Sequence, residues 1–187
     1  MPTHKISVKF YLDQGHNIAP DTWFKTFNNW ISAHNGADVL LDVADYSHVP
    51  NGPVTLLIGH EYDISIDDTD AKRGLLYNRK QPNGGNFAQQ LSSAVRAACA
   101  ICQRLEAEEA VAFRGNELKL VLNDRLNAPN TENTHNAIND DLQAFLHQLY
   151  NGSEVAAARR KDARQRFTLD IRAGGDWSVA KLLDNLA

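Results

Sequence analysis

The chain contains few of the residues that mark specialised protein classes. Its 187 residues include only two cysteines, one methionine, six prolines and 11 glycines. Two cysteines are too few for the disulfide framework of a small secreted domain, and so little proline and glycine excludes collagen-like and low-complexity chains. No apolar run approaches the roughly 18 residues that a membrane span needs. The composition therefore predicts a soluble globular protein with no membrane association.

Neither sign of charge is in large excess. The 19 basic and 23 acidic residues give a formal net charge of -4. Non-specific binding to nucleic acid depends on neutralising phosphates, so we do not expect nucleic acid as a partner. The N-terminal residues lack the apolar stretch of a signal peptide, and the low cysteine count is typical of a reducing compartment. We therefore expect a cytoplasmic protein.

The two cysteines, Cys99 and Cys102, have the C-x-x-C spacing of redox and zinc motifs. They lie midway along a long helical pattern, whereas a redox motif of this kind opens a helix. A zinc site would need a second cysteine pair or histidines at ligand spacing, and the sequence has neither. We expect both cysteines to pack in the core as small apolar residues.

The periodicity of apolar residues predicts an α+β fold. Strict alternation in KISVKFYL, residues 5–12, predicts a half-buried strand, and three longer segments have the spacing of amphipathic helices. The second helix starts at Asn86, with Gln89 at the spacing of a capping box. Strand pairs fall between the helices, including a hairpin over 62–78 and another around Arg114-Gly115-Asn116. Since hairpins build antiparallel sheets, we expect a largely antiparallel or mixed sheet of hairpins with three main helices packed against it.

The length fits a single domain over residues 1–187. A helix followed by a strand pair occurs at least twice, which suggests a pseudo-repeat with its boundary near residues 81–85. The residues of the two halves do not match, so the suggestion concerns topology alone.

Standard catalytic and phosphate-binding motifs are absent, including the phosphate loop, the nucleophile elbow and the H-E-x-x-H zinc motif. Two loops, 42–50 and 123–131, are nevertheless rich in reactive side chains, and loops at strand ends often carry sites. An aspartate–histidine pair there can act in acid–base catalysis, and an arginine can hold an anionic group. Aspartate and histidine are also metal ligands. The candidate site residues are Asp45, His48, His60, Asp124 and Arg125.

Each of these candidates also has an ordinary structural explanation, since aspartates satisfy turn amides and Asp124 can pair with Arg125. Because no catalytic constellation is complete, we favour a non-enzymatic binding or protein-interaction module without a cofactor or resident metal. The alternative is a small hydrolase or metal-dependent enzyme with its site in the 42–50 and 123–131 loops. Convergence of the five candidates in one pocket would favour the enzyme.

The basic run RRKDARQR, residues 159–166, has two interpretations. It can bind phosphates, RNA or an acidic partner, or it can form a solvated helix face or a linker. It contains no aromatic residue on which a base could stack, so we favour the structural interpretation.

Self-association is expected through the first strand. If residues 5–12 form a sheet edge, Lys5 and Lys9 can face the acidic hairpin 61–70 of a second copy, and a twofold axis would repeat the contact in a homodimer. Alternatively, the same lysines protect the edge from pairing and the protein is a monomer.

Overall fold

Eight antiparallel strands form one sheet in the computed structural model of the chain, which describes residues 5–13, 15, 18–34, 39–81 and 84–187. The strands are β1 (Ile6–Leu12), β2 (Leu40–Asp45), β3 (Pro53–Gly59), β4 (Tyr62–Asp67), β5 (Gly74–Arg79), β6 (Phe113–Leu122), β7 (Val155–Arg159) and β8 (Phe167–Ala173). Their order across the sheet is β2-β3-β4-β5-β1-β6-β8-β7.

Four helices within the described residues pack against this sheet. They are α1 (Pro20–Ala33), α2 (Phe87–Glu108), α3 (Glu132–Leu149) and α4 (Val179–Asn185). Helix α1 contacts β2 and β3, α2 contacts β1 and β5, α3 contacts β7, and α4 contacts β6. The fold is therefore α+β, as the sequence predicts. None of the helices in the described part of the chain combines the length and the apolarity needed to cross a membrane.

The core lies between the helices and one face of the sheet. Ile6, Val8 and Phe10 alternate along β1, and each is 0% exposed. They belong to one cluster with the apolar side chains of α2, including Leu91 and Val95. The alternation of β1 thus places its apolar side against a helix, which is what period-two patterning requires.

Local signals in the sequence fix several of these elements. The Asn86 side chain accepts a hydrogen bond from the Gln89 amide at 3.0 Å, and the Gln89 side chain accepts one from the Asn86 amide at 2.9 Å. This capping box satisfies two amides that the first turn of α2 leaves unpaired. The prediction for the start of α2 is confirmed, as is the hairpin over 62–78, because β4 pairs with β5.

The predicted hairpin around Arg114-Gly115-Asn116 is wrong, since these residues lie within the continuous ten-residue strand β6. Gly115 marks a close approach between two segments rather than a turn. Its amide donates to the Trp177 carbonyl at 2.9 Å, and a Cβ at this position would lie 2.4 Å from the same oxygen. A glycine inside a strand often has this role.

The first strand is not a sheet edge. β1 pairs with β5 on one side and with β6 on the other, and all seven of its residues are buried. It therefore cannot pair with a second copy, and the expected docking of Lys5 and Lys9 onto another molecule's hairpin is wrong. The edges of the sheet are β2 and β7.

The basic run 159–166 is not a helix face; most of it is a connection between two strands, as one of the two structural interpretations predicts. It begins in the last residue of β7 and continues through the connection to β8, its hairpin partner. β7 was not predicted, because its residues, VAAAR, include only one β-branched side chain.

The predicted repeat boundary near 81–85 includes Pro82 and Asn83, which lie outside the described residues. Strands from both sides of this boundary belong to one sheet, since β1 pairs with both β5 and β6. The single domain over 1–187 and the pseudo-repeat stay predictions.

Both cysteines are free and buried on α2, at 0% exposure, so the prediction that they pack in the core is confirmed. Burial raises the pKa of the Cys99 thiol to about 12, and the nearby Glu106 adds to the shift. The reactive thiolate is therefore scarce at neutral pH.

We expect Leu120→Ala to lower the free energy of unfolding by about 2–5 kcal/mol, because it opens a cavity in the core. Leu120 is 1% exposed and lies opposite Val8 in the sheet. The matched control is Leu126→Ala at a site that is 89% exposed, where a change within about 0.5 kcal/mol is expected. Urea unfolding measures both, and equal effects would contradict this packing.

We also expect neither Cys99 nor Cys102 to react with Ellman's reagent in the folded protein at about pH 8, because both thiols are buried and protonated. In urea both should react at the rate of a free cysteine. Rapid reaction of one thiol in the folded protein would show that solvent reaches the buried side of α2.

Candidate functional site

The sheet topology separates the candidate residues that the sequence analysis singled out. Asp45 ends β2 opposite Thr55, near the start of β3, and His48 follows in the next turn. His60 follows the other end of β3, where Gly59 pairs with Leu40. Asp45 and His60 therefore lie at opposite ends of the β2–β3 pair.

The first three candidates have structural roles or are exposed. An oxygen of Asp45 accepts a hydrogen bond from the Ser47 amide at 2.8 Å, and its hydrogen bonds with Ser47 lower the pKa of this carboxyl. His48 stacks on Tyr46, and His60 is 63% exposed. Within the described ranges, no group of three or more histidine, cysteine, aspartate or glutamate residues is arranged to hold a metal ion.

Asp124 and Arg125 follow β6, which is separated from β3 by three strands. The Asp124 carboxylate accepts hydrogen bonds from the backbone and side chain of Asn127, at 3.0 and 2.8 Å. Arg125 donates to the Arg164 carbonyl at 2.8 Å. The structure thus does not bring the five candidates together. Their neighbour Asn123, by contrast, lines a cavity elsewhere on the sheet.

That cavity lies on the sheet face opposite the helices, which we call the open face. Ser7, Lys9 and Tyr11 point to the open face because they alternate with the core residues of β1. We call this cavity the main cavity because it combines buried charged groups with apolar side chains; its volume is about 310 Å³, smaller than that of some other hollows on the described surface. It is lined by Ser7, Lys9, Pro53, Leu56, Asp63, Ile64, Ser65, Asp67, Thr69, Leu76, Asn78, Lys119, Val121, Asn123 and Arg166.

Two lysines lie side by side at the centre of the open face. Lys9 on β1 is directly opposite Lys119 on β6, and the residues are only 1% and 5% exposed. Like charges at opposed positions destabilise a sheet, and an unpaired buried charge costs far more. Each ammonium group therefore has a carboxylate partner: Lys9 Nζ lies 2.6 Å from Asp67 Oδ1, and Lys119 Nζ contacts Asp70 Oδ2.

Burial is the larger influence on Lys9. It lowers the pKa of this amine, and the attraction of Asp67 only partly opposes it. The neighbouring Lys119 charge acts in the same direction as burial. The sheet register thus keeps Lys9 beside Lys119 in a buried site that disfavours the charged form of Lys9.

The connection between β4 and β5, residues 68–73, supplies part of this pairing, and we call it the strap. Lys9 Nζ donates to the Thr69 carbonyl at 3.1 Å, and Arg73 makes two hydrogen bonds with Asp68 at 2.7 and 2.8 Å. Asp70 and Ala71 have φ angles of 65° and 54°, in the left-handed region. Such angles are strained for residues other than glycine, and the surrounding contacts must hold them.

The strap lies between two cavities, because Thr69 lines the main cavity and Asp70 lines a second one. The second cavity has a volume of about 450 Å³. Its lining residues are Tyr11, Asp70, Lys72, Glu117, Ala156, Ala158, Arg160, Asp170 and Arg172.

Arg160 connects the strap to β8. It makes two hydrogen bonds with Asp170, at 2.7 and 2.8 Å, while its Nη1 lies 2.8 Å from Asp70 Oδ2. Partial burial raises the pKa of the Asp70 carboxyl, but hydrogen bonds from Lys119 and Arg160 outweigh burial and hold this pKa below its ordinary value. Asp70 is therefore ionised at neutral pH.

The main cavity combines unused hydrogen-bond donors with an apolar wall. An ammonium group has three N–H donors, and within the described part of the chain Lys119 directs one of them to an acceptor, Asp70. The exposed Arg166 donates to Asn123 at 3.2 Å and has no carboxylate partner among the described residues. The apolar wall is formed by Leu56, Leu76 and Val121.

This site was not predicted, although the sequence contains one signal for it. A single lysine stands inside the apolar segment Leu118-Lys119-Leu120-Val121-Leu122. A charge within a buried strand needs a partner, and it is a reason to search for a polar cluster.

No protein family, curated protein or solved structure matches this chain.

We expect Ala71→Gly to stabilise the protein by about 0.5–1 kcal/mol. Glycine removes the strain of the left-handed conformation, and the gain exceeds the entropy it adds to the unfolded chain. The matched control is Ala163→Gly in the β7–β8 connection, where φ is not positive and a loss of about 0.4–1 kcal/mol is expected. Urea unfolding measures both, and destabilisation by both variants would contradict strain at Ala71.

Proposed function

We propose that this protein is a non-enzymatic binding module for a small organic anion. The ligand carries a carboxylate or phosphate group and a short apolar body, and it occupies the main cavity. The observation that carries this proposal is Lys119, a buried ammonium group on the cavity wall with a single acceptor, Asp70, among the residues that the structure describes.

The anionic group is suggested by the donors. Burying an ammonium group is costly unless its N–H groups are satisfied, so a further acceptor beside Lys119 is favourable. Arg166 provides a second positive charge on the same cavity, and it is not neutralised by a carboxylate among the described residues. Hydrogen bonds from charged donors to an anion are about twice as strong as those between neutral groups.

The apolar body is suggested by Leu56, Leu76 and Val121, which line the same cavity and offer a surface that gains from contact with hydrocarbon. The volume of about 310 Å³ is at the lower end of the range found for small-molecule sites, about 300–1,000 Å³. This size favours a small molecule over a peptide or a nucleic acid.

Binding is favoured over catalysis because the reactive groups of the cavity already have partners. Asp67 is paired with Lys9, and Asp63 with Lys80 at 2.7 Å. The Ser7 hydroxyl donates to Asn78 Oδ1 at 2.6 Å, so its proton is directed to an amide oxygen and not to a base. The alternative of an enzyme built on the 42–50 and 123–131 loops gains no support from their placement.

Location and self-association are part of the same proposal. A cytoplasmic location fits the two free thiols, which persist in a reducing compartment. A homodimer or a complex with a protein partner would have to use a surface other than β1, since β1 is internal to the sheet.

Isothermal titration calorimetry with hexanoate, hexyl phosphate and the neutral hexanamide tests the proposal. We expect at least one of the two anions to bind, and hexanamide to bind at least about tenfold more weakly, because it lacks the charge that Lys119 and Arg166 recognise. Equal binding of hexanamide and the better anion, or binding of none of the three, would contradict an anion site.

Two variants locate the site. Lys119→Met should weaken binding of the preferred anion at least about tenfold, and Arg166→Met should weaken it without disturbing the fold, since Arg166 is exposed. The matched control is Lys25→Met on α1, which is exposed and lies on the helical side. Unchanged affinity in both Lys119→Met and Arg166→Met would place the ligand elsewhere and overturn the proposal.

A further inference from the structure

One carboxylate oxygen of the strap lies between two cations of the sheet. Asp70 Oδ2 accepts a hydrogen bond from Lys119 Nζ and lies 2.8 Å from Arg160 Nη1. A lysine and an arginine converging on one oxygen is the arrangement by which proteins hold the carboxylate or phosphate of a ligand. Here the oxygen belongs to the chain itself.

The sheet positions the backbone of Lys119 and, through Asp170, the guanidinium of Arg160. Lys119 belongs to β6, near the middle of the sheet, and Asp170 of β8 is directly opposite it. Asp170 holds the Arg160 guanidinium through two hydrogen bonds, which fix its plane and direct Nη1 toward Asp70. Because strands carry or orient both cations, the pair stays assembled when the carboxylate between them changes.

The carboxylate between the two cations, by contrast, belongs to a strained turn. Asp70 and Ala71 have φ angles of 65° and 54°. Strain of this kind persists only where other contacts compensate for it, and here the compensating contacts include the ion pairs of Asp70 itself. Displacing the Asp70 carboxylate therefore releases strain, which lowers the cost of replacing it with an external anion.

The position of the strap connects this pair to the main cavity. Lys119 lines the main cavity and Arg160 lines the second one, with Thr69 and Asp70 between them. A ligand whose apolar body lies against Leu76 and Val121 would thus have its anionic group close to the oxygen position of Asp70.

We propose that Lys119 and Arg160 form the receptor for the anionic group of the ligand, and that Asp70 occupies this receptor as an internal competitor that the ligand displaces. The proposal rests on the proposed function, since it concerns the same ligand, and it adds Arg160 and a competing carboxylate to the site. The strap then sets the affinity: when Asp70 is in place the receptor is closed, and when Asp70 leaves, the two cavities become continuous.

The sign of the effect of Asp70→Asn separates this proposal from a purely structural role. An internal competitor weakens ligand binding, so its removal should tighten binding of the preferred anion, hexanoate or hexyl phosphate, about fivefold or more, as in a coupling of typical size. If Asp70 only neutralises Lys119, the variant should bind no more tightly than the wild type. The matched control is Asp162→Asn, whose carboxylate is 37% exposed compared with 35% for Asp70 and pairs with Arg164 instead. Its affinity should not change.

Hydrogen–deuterium exchange of the wild-type protein provides a second measurement, which does not depend on the stability of a variant. Binding of the anion should accelerate exchange of the backbone amides of residues 68–73, because the strap leaves its position. A ligand that only fills the main cavity should slow exchange there. Slower or unchanged exchange in the strap would overturn the proposal.

The two proposals fail in distinguishable ways. If the wild type binds the anion and Lys119→Met does not, but Asp70→Asn binds no more tightly than the wild type, the proposed function stands and the internal competitor is wrong. If Asp70→Asn binds neither anion, the receptor is wrong. If Asp70→Asn binds tightly and Arg160→Met in the same background abolishes the gain, the receptor is confirmed.

Discussion

The buried pairing of Lys9 and Lys119 with carboxylates is the interaction on which the open face depends. Two ammonium groups at opposed positions of neighbouring strands repel each other, and neither is exposed enough for water to screen the repulsion. The strands can adopt this register because Asp67 and Asp70 stand beside them. Breaking such a pair leaves an uncompensated buried charge, which is among the most destabilising changes in a protein.

This requirement explains the shape of the connection between β4 and β5. A two-residue turn could join these strands, but it could not carry a carboxylate to Lys119 on β6. The six-residue strap does so with Asp70, and its backbone is left-handed at Asp70 and Ala71. Strain at a polar cluster is a common mark of a functional site, and here it coincides with the boundary between two cavities.

The buried charge pairs lie on the open face alone, so the two sides of the sheet differ in chemistry. The helical side contains the apolar core and the two unreactive cysteines, whose thiols burial keeps protonated. On the open face, Lys9, Lys119 and the apolar wall lie on strands, and the connections beside them carry Asp70, Arg160 and Arg166. Strands hold a binding site more accurately than loops do, and the loops 42–50 and 123–131, although richer in reactive residues, use their side chains to satisfy local turns.

The sequence by itself determined the elements whose causes lie within a few residues. The alternation of β1, the capping box of Asn86 and Gln89, and the hairpin over 62–78 all depend on neighbours in the chain, and the structure confirms them. Only the tertiary structure decided that β1 is internal, that Gly115 meets Trp177 rather than forming a turn, and that the open face carries the candidate site. Lys9 and Asp67 are 58 positions apart, and Lys119 and Asp70 are 49 apart. The physical reason is that hydrophobic periodicity specifies which side of a strand is buried, whereas the charge that pairs with a buried lysine depends on which distant strands become neighbours.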